Sequence, residues 1–330
     1  MRSTYLMLIS LYISQNAWGH HGVTSFDRDT LLEIEGVVTE FDYRNPHSFV
    51  YLRTVDSSGN PLNIVIEAQG SSLRPHGVMP DSILSGDRVT AFVNPSLRSS
   101  VEVLGREIIK SDGTVVPLAG QAVRDRQRNT GIATSLAGVW VPHPDGFTAY
   151  VRGPASWPLT EAARQSLESY DPKSVSQAAC VPLPPPQLML YGSINVIEIL
   201  GDRVLIHSDW MDAERVIYTD QRSPNQREIP ALHGFSVGRW ENGELVVDTR
   251  HFSNNSNGNN FGVPSGSNKH LVERFSLADD GANINYSFVL EDLDNLSGTI
   301  TGNSRWDYRP ELEPDDVACD LESAGRYLNE

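Results

Sequence analysis

The chemistry with the clearest physical basis lies near the start of the chain, in Ala17-Trp18-Gly19-His20-His21-Gly22. Ahead of it, Arg2 and the apolar run from Tyr5 to Ile13 have the layout of an export signal. Ala17 and Gly19 are the small residues that signal peptidase takes three and one positions before its cut. Cleavage there, removing residues 1–19, makes His20 the first residue of the mature chain. Its freed α-amine titrates near about 8 and its imidazole near about 6.5, so close to neutral pH both offer lone pairs. The two can close a chelate ring on one ion, and a further imidazole would complete three nitrogens in a plane. Copper(II) favours such nitrogen-rich tetragonal sites and heads the divalent affinity order.

Two sources exist for the third nitrogen. His21 is adjacent, and with the amine and the deprotonated His20-His21 amide it forms fused chelate rings that need no fold. His47, in Asn45-Pro46-His47, follows a turn restricted by Pro46 and suits a folded site better. Asp27 and Asp29 are nearby carboxylates that could orient such ligands. The expected centre is therefore copper held by His20, His21 and His47. It is similar to the histidine brace of copper-dependent polysaccharide monooxygenases and of some periplasmic copper carriers.

The second half of the chain offers less. His207, His233, His251 and His270 have no metal-ligand spacing, so no zinc site is implied. No nucleophile elbow, phosphate loop or dinucleotide fingerprint is present. Trp210, Trp240, Glu241, His251 and Glu273 form a candidate ligand set: aromatics with a few polar groups, as at the mouth of a barrel that takes an apolar small molecule.

The elements that must position these residues read as β structure. Between residues 20 and 120, strands are expected at Leu31–Tyr43 (with Gly36 as a bulge), Ser48–Val55, Leu62–Glu67, Asp87–Val93 and Val101–Lys110, with one helical turn within Gly70–Gly77. Five short strands with one helical insert suggest an OB-like barrel. Residues 121–135, polar and aperiodic, read as a linker. From 136 to 330 a Gly-x-Trp start, a helix at Leu159–Leu167 capped by Thr160, and hairpins such as the one turning at Asn242-Gly243 suggest a larger antiparallel barrel or sandwich, lipocalin-like. The Cys180–Pro186 run, CVPLPPP, reads as an extended strap across a barrel end, and Ser253–Lys269 as a long aperiodic loop.

Composition limits the class of function. With 42 acidic against 26 basic residues and a net charge of -16, the chain lacks the basic surface that nucleic acid requires. The one long apolar run is too short to span a bilayer, and no segment identifies a protein partner. Two cysteines, Cys180 and Cys319, are expected to form one disulfide in a periplasmic or extracellular compartment.

Several motifs together resemble a family of exported bacterial proteins known only as a domain of unknown function. They are His20-His21-Gly22, Phe26-Asp27, Glu35-Gly36-x-Val38-Thr39-Glu40-Phe41, Asn45-Pro46-His47 and Gly86-Asp87-Arg88-Val89. Gly22 stands where that family usually has serine. In the second domain, Gly238-Arg239-Trp240-Glu241-x-Gly243-x-Leu245-Val246-Val247-Asp248-Thr249, His270-Leu271-Val272-Glu273-Arg274-Phe275 and Ala318-Cys319 look like the segment often joined to it. The resemblance groups His20, His21 and His47 as a hallmark and implies no catalytic residue. The expectation is a periplasmic or secreted copper-binding protein that may take an organic ligand in its second domain. The alternative is an enzyme: a copper-dependent oxidase, or an isomerase or hydrolase acting on an apolar small molecule in the C-terminal barrel.

Overall fold

Alternating apolar residues and tight polar turns produce two closed barrels. A computed structural model of the chain describes residues 26–68, 73–119, 131–314 and 318–326. The first barrel comprises β1 (Leu32–Asp42), β2 (Ser48–Val55), β3 (Pro61–Ala68), β4 (Arg88–Pro95) and β5 (Glu102–Lys110), with a short β6 (Val115–Pro117) paired to β5. Its order is β3-β2-β1-β4-β5, closed by β3 against β5. A ring of five strands cannot alternate direction at every contact, and the one parallel contact is β3–β5. This is the expected OB-like arrangement. Val38, Val50, Leu52, Ile64, Ile66, Ala91 and Ile108 fill its interior.

One local expectation is corrected. The register shift in β1 falls between Val38 and Glu40, not at Gly36. Gly36 is instead a close-approach point, where a Cβ would lie 2.7 Å from the Arg53 carbonyl oxygen and from the Leu52 side chain.

The second barrel closes nine strands in chain order. They are β7 (Gly138–Pro142), β8 (Asn195–Ile199), β9 (Arg203–Ser208), β10 (Ala213–Tyr218), β11 (Phe235–Glu241), β12 (Glu244–Arg250), β15 (Lys269–Leu277), β16 (Asn283–Asp292) and β17 (Ile300–Tyr308). Nine is again odd, and the parallel contact is β10–β11, joined by the long connection 219–234. Trp140, Trp306, Phe275, Tyr286, Ile206 and Leu271 lie in its core.

Helix α1 (Pro144–Arg152) is not anticipated by the sequence pattern, because Pro144 and Gly146 weaken the helical signal. Gly146 is required by packing, since a Cβ would lie 2.6 Å from Ser304 Oγ on β17. Helix α2 (Glu161–Glu168) forms as expected, with Thr160 accepting from Ala163 N–H. The CVPLPPP strap does not simply cross a barrel end. It leads into α3 (Gln187–Leu190), and Leu183, Leu188, Met189 and Leu190 are buried in the core.

The segment expected as an irregular loop contains a hairpin, β13 (Asn255–Asn260) and β14 (Val263–Ser265). It shows no hydrophobic period because asparagine side chains order most of it, with Val263 as its apolar anchor. Asn257 Oδ1 accepts from Gly262 N–H at 2.7 Å, and Asn260 Nδ2 donates to the Tyr150 carbonyl at 2.8 Å. Asn257, Asn259 and Asn260 are all buried.

The C-terminal segment returns to the first barrel. Cys319 bridges to Asn45, and Asp320 N–H donates to the Asn45 carbonyl at 2.8 Å. It leads into α4 (Leu321–Gly325), whose N-cap is Asp320. The disulfide Cys180–Cys319 ties this segment to the strap. Asn45 Nδ2 to the Asp209 carbonyl, and Arg309 Nη1 to the Pro75 carbonyl, both at 2.9 Å, add direct links between the barrels. No helix among the described residues is long and apolar enough to cross a membrane.

With a sequence separation of 139, the disulfide closes a loop worth about 5 kcal/mol by the chain-entropy relation. Replacing Cys180 and Cys319 with alanine together is expected to lower the unfolding free energy by an amount of that order in urea denaturation. A loss below about 1 kcal/mol would mean that the crosslink does not constrain the unfolded chain.

Candidate metal site on the first barrel

Side-chain alternation divides β2 and β3 between two faces. Val50, Leu52, Ile64 and Ile66 point inward, so His47, Phe49 and Glu67 belong to the outer face. In register, Phe49 pairs with Glu67, and Glu67 with Leu104 of β5. An outer face would ordinarily be wet, but two distant parts of the chain cover this one.

From the N-terminal side comes Phe26, bridged to Ser96 and packed with Phe49 and Leu104 in one small buried cluster. From the C-terminal side comes α4. Ser323 Oγ donates to the His47 carbonyl at 2.7 Å and accepts from His47 N–H at 3.1 Å, clamping the backbone of the histidine. The Arg326 guanidinium lies 4.3 Å from the centre of the Phe49 ring and 3.8 Å from Glu102. Arg44 pairs with Asp42, Asp320 and Glu322, which fastens the same segment. The hydrogen bond to Asp42, reinforced by the charges of Asp42 and Asp320, holds the Arg44 guanidinium well above its ordinary pKa.

Within this enclosure His47 Nδ1 stands 2.8 Å from Glu67 Oε1, within ion-pair distance but off the line of a hydrogen bond. The Glu67 side chain is 2% exposed and that of His47 27%. Glu67 Oε2 is buried and has no hydrogen-bond partner among the described residues. Since Nδ1 is buried, the exposure of this side chain lies on its other atoms.

Of the other expected ligands, His20 and His21 lie outside the described residues. Among the described residues no group of three His, Cys, Asp or Glu side chains has a metal-binding arrangement. Asp27 is engaged elsewhere: its carboxylate accepts from Thr30 Oγ1 at 2.6 Å and from Asp29 N–H at 3.1 Å. Those bonds, the Thr30 one foremost, hold it below the usual carboxylate range. The carboxylate that meets His47 is Glu67, which sequence reasoning missed. Its only signal was an acidic residue ending an apolar strand.

The five second-domain candidates are spread over the barrel. Glu241 adjoins the β11–β12 turn and contacts Arg239 at 2.6 Å and Arg274 at 3.6 Å. Trp240 stands beside it, 43% exposed. His251 is exposed beyond the far end of β12, in the left-handed region with φ 60°. Trp210 lies in the turn between β9 and β10, its ring 4.6 Å from that of Tyr191.

Glu273 is buried inside, paired with Arg215 through both carboxylate oxygens. Tyr286 Oη donates to Glu273 Oε1 at 2.9 Å, and Arg215 also reaches Ser236 and Thr249. Burial, with the negative charge of Glu273 beside it, pushes the Tyr286 hydroxyl far up. Glu273 thus closes a polar network within the packed core.

Lys269, also missed, ties the barrel to its coverings. Its Nζ donates to the Pro185 carbonyl at 2.7 Å and the Gly258 carbonyl at 2.6 Å, and sits 4.6 Å from the centre of the Phe252 ring. Nearby, Asp292 Oδ2 accepts from Asn259 Nδ2, Asn295 Nδ2 and Gly266 N–H. Burial pulls the Lys269 ammonium down to about 7, against the opposing pull of Asp292 and Glu273.

Residues 8–104 match the profile of a family of unknown function, DUF6152. This is less than a third of the chain and includes the N-terminal histidines, the Asn-Pro-His turn and Glu67. No curated protein matches the chain.

Two outcomes follow from the buried charges. Lys269 binds its proton less tightly folded than unfolded, so between about pH 7 and its unfolded value the unfolded chain holds more protons. Stability contributed by this group therefore rises with pH across that window and is lost as pH falls through it. Urea unfolding from pH 7 to 9.5 should give a steeper rise for the native chain than for Lys269→Met, and equal slopes would refute the assignment. Glu273→Gln, which leaves the Arg215 charge buried and unpaired, should cost about 3–5 kcal/mol in the same assay.

Proposed function

We propose that the protein is an exported copper-binding protein, carrying or buffering copper at a centre made by the His20 α-amine and imidazole together with His47, with His21 beside them. The observation that carries the reading is the state of His47. Its backbone is clamped by Ser323, its Nδ1 is buried against Glu67, and its side chain keeps 27% of its surface exposed. A histidine held this way presents one nitrogen and gives up little rotational freedom on binding an ion.

Two further features support it. Phe26 packs on the same outer face of the barrel, in one cluster with Phe49. The six backbone steps from His20 to Phe26 span at most about 20 Å when extended, which leaves that face within reach of the mature terminus. The disulfide suits an oxidising compartment, as the export signal requires. Copper bound there would be a resident or transported cation, and the proposed ligands would supply amine and imidazole donors suited to copper(II).

The test is a copper(II) titration of the purified chain, with His20 verified as its first residue by mass spectrometry. His47→Ala should weaken binding at least tenfold, a loss of about 1.4 kcal/mol, and change the nitrogen hyperfine pattern in electron paramagnetic resonance. Binding unchanged by His47→Ala would reduce the site to a tail chelate at His20-His21 and overturn the folded centre.

A further inference from the structure

Glu67 poses an energetic problem that its neighbours do not solve. A carboxylate taken out of water costs several kcal/mol unless it is paired and its oxygens are satisfied. Here one oxygen faces an imidazole at 2.8 Å, and the other is buried without a hydrogen-bond partner among the described residues. The surroundings add to the cost. Phe49, Phe26 and Leu104 pack on this face, and the nearby guanidiniums of Arg44 and Arg326 are committed to Asp42, Asp320, Glu322 and Glu102. An imidazole bound to a cation is a stronger hydrogen-bond donor, because the ion polarises its ring N–H toward an acceptor.

We infer that Glu67 is the positioning residue of the metal centre: it selects the His47 tautomer with the proton on Nδ1 and so turns Nε2 outward as the donor nitrogen. The inference rests on the copper reading above and adds to it the residue that makes His47 a ligand. Metal-bound histidines characteristically hold a carboxylate or carbonyl on their other ring nitrogen, which fixes the ring and raises its basicity. The fold enforces this relation. His47 immediately precedes β2, and Glu67 lies on β3, the strand paired to it. The Ser323 clamp stops the His47 backbone from shifting away.

The inference is tested without metal first. Nitrogen-15 spectra of the metal-free chain, recorded at alkaline pH where imidazoles are neutral, report which ring nitrogen of His47 carries the proton. The native chain should show the Nδ1–H tautomer. Glu67→Gln, which keeps a carbonyl acceptor, should retain it, while Glu67→Leu should shift it toward Nε2–H. Copper(II) affinity should then fall 10–100-fold in Glu67→Leu and less in Glu67→Gln. A native Nε2–H tautomer would overturn the role of Glu67 whatever copper does, and needs no variant to fold. Copper affinity lowered by His47→Ala but unchanged by Glu67→Leu would also overturn it, with the copper reading left standing. Affinity unchanged by His47→Ala would remove the copper reading, and the role given to Glu67 with it.

Discussion

The return of the C-terminal segment to the outer face of the first barrel is the contact on which the rest of this structure turns. Cys319 is anchored twice, by its disulfide to Cys180 and by its bridge to Asn45. From that anchor α4 reaches His47 through Ser323, and Arg326 lies over Phe49. The disulfide ties this segment to the strap, the Asn45 bridge ties it to the first barrel, and the helix that follows helps to turn a solvent-facing strand surface into an enclosed one. Without that cover Glu67 would be an ordinary wet carboxylate and His47 an ordinary surface histidine.

The barrels solve their closure in the same way. An odd ring of strands needs one parallel contact, and a parallel contact needs a connection long enough to run back along the barrel. In the first barrel β3 and β5 meet in parallel, with β4 and the turn at Arg74–His76 in the connection. In the second, residues 219–234 make that crossing between β10 and β11. The second barrel then spends its interior differently. Arg215, Glu273, Tyr286, Ser236 and Thr249 form one hydrogen-bonded group inside it. At its margin Lys269, Asp292 and the asparagines of β13 hold the β13–β14 hairpin in place. Such networks are costly to break and leave few competing arrangements. They favour a rigid body bearing on the first barrel.

Much of the fold was legible in the chain because alternation and turn chemistry are local. β2 falls where the pattern predicts it, and Asn242-Gly243 makes its hairpin. The α2 cap at Thr160 and the pairing of the cysteines also follow from local or compositional rules. The misreadings share one cause. Hydrophobic periodicity is silent where side-chain hydrogen bonds or close backbone approach do the ordering. That is why the Asn255–Asn260 strand was expected as a loop, Gly36 as a bulge, and α1 not at all.

The candidate site divides along the same line. By itself, the sequence names the donor types of the proposed centre: the histidine that the expected cleavage would expose, its neighbour, and a third behind a proline. Only the tertiary structure decided which carboxylate meets His47. Asp27 is nearer in the chain, yet it closes its own local turn with Thr30. Glu67 lies outward on its strand, where alternation predicts water, and is dry because Phe26 and α4 arrive from opposite ends of the chain to cover it. Strand period reports which way a side chain points; burial depends on what else comes to rest there, and that is a property of the whole packed chain.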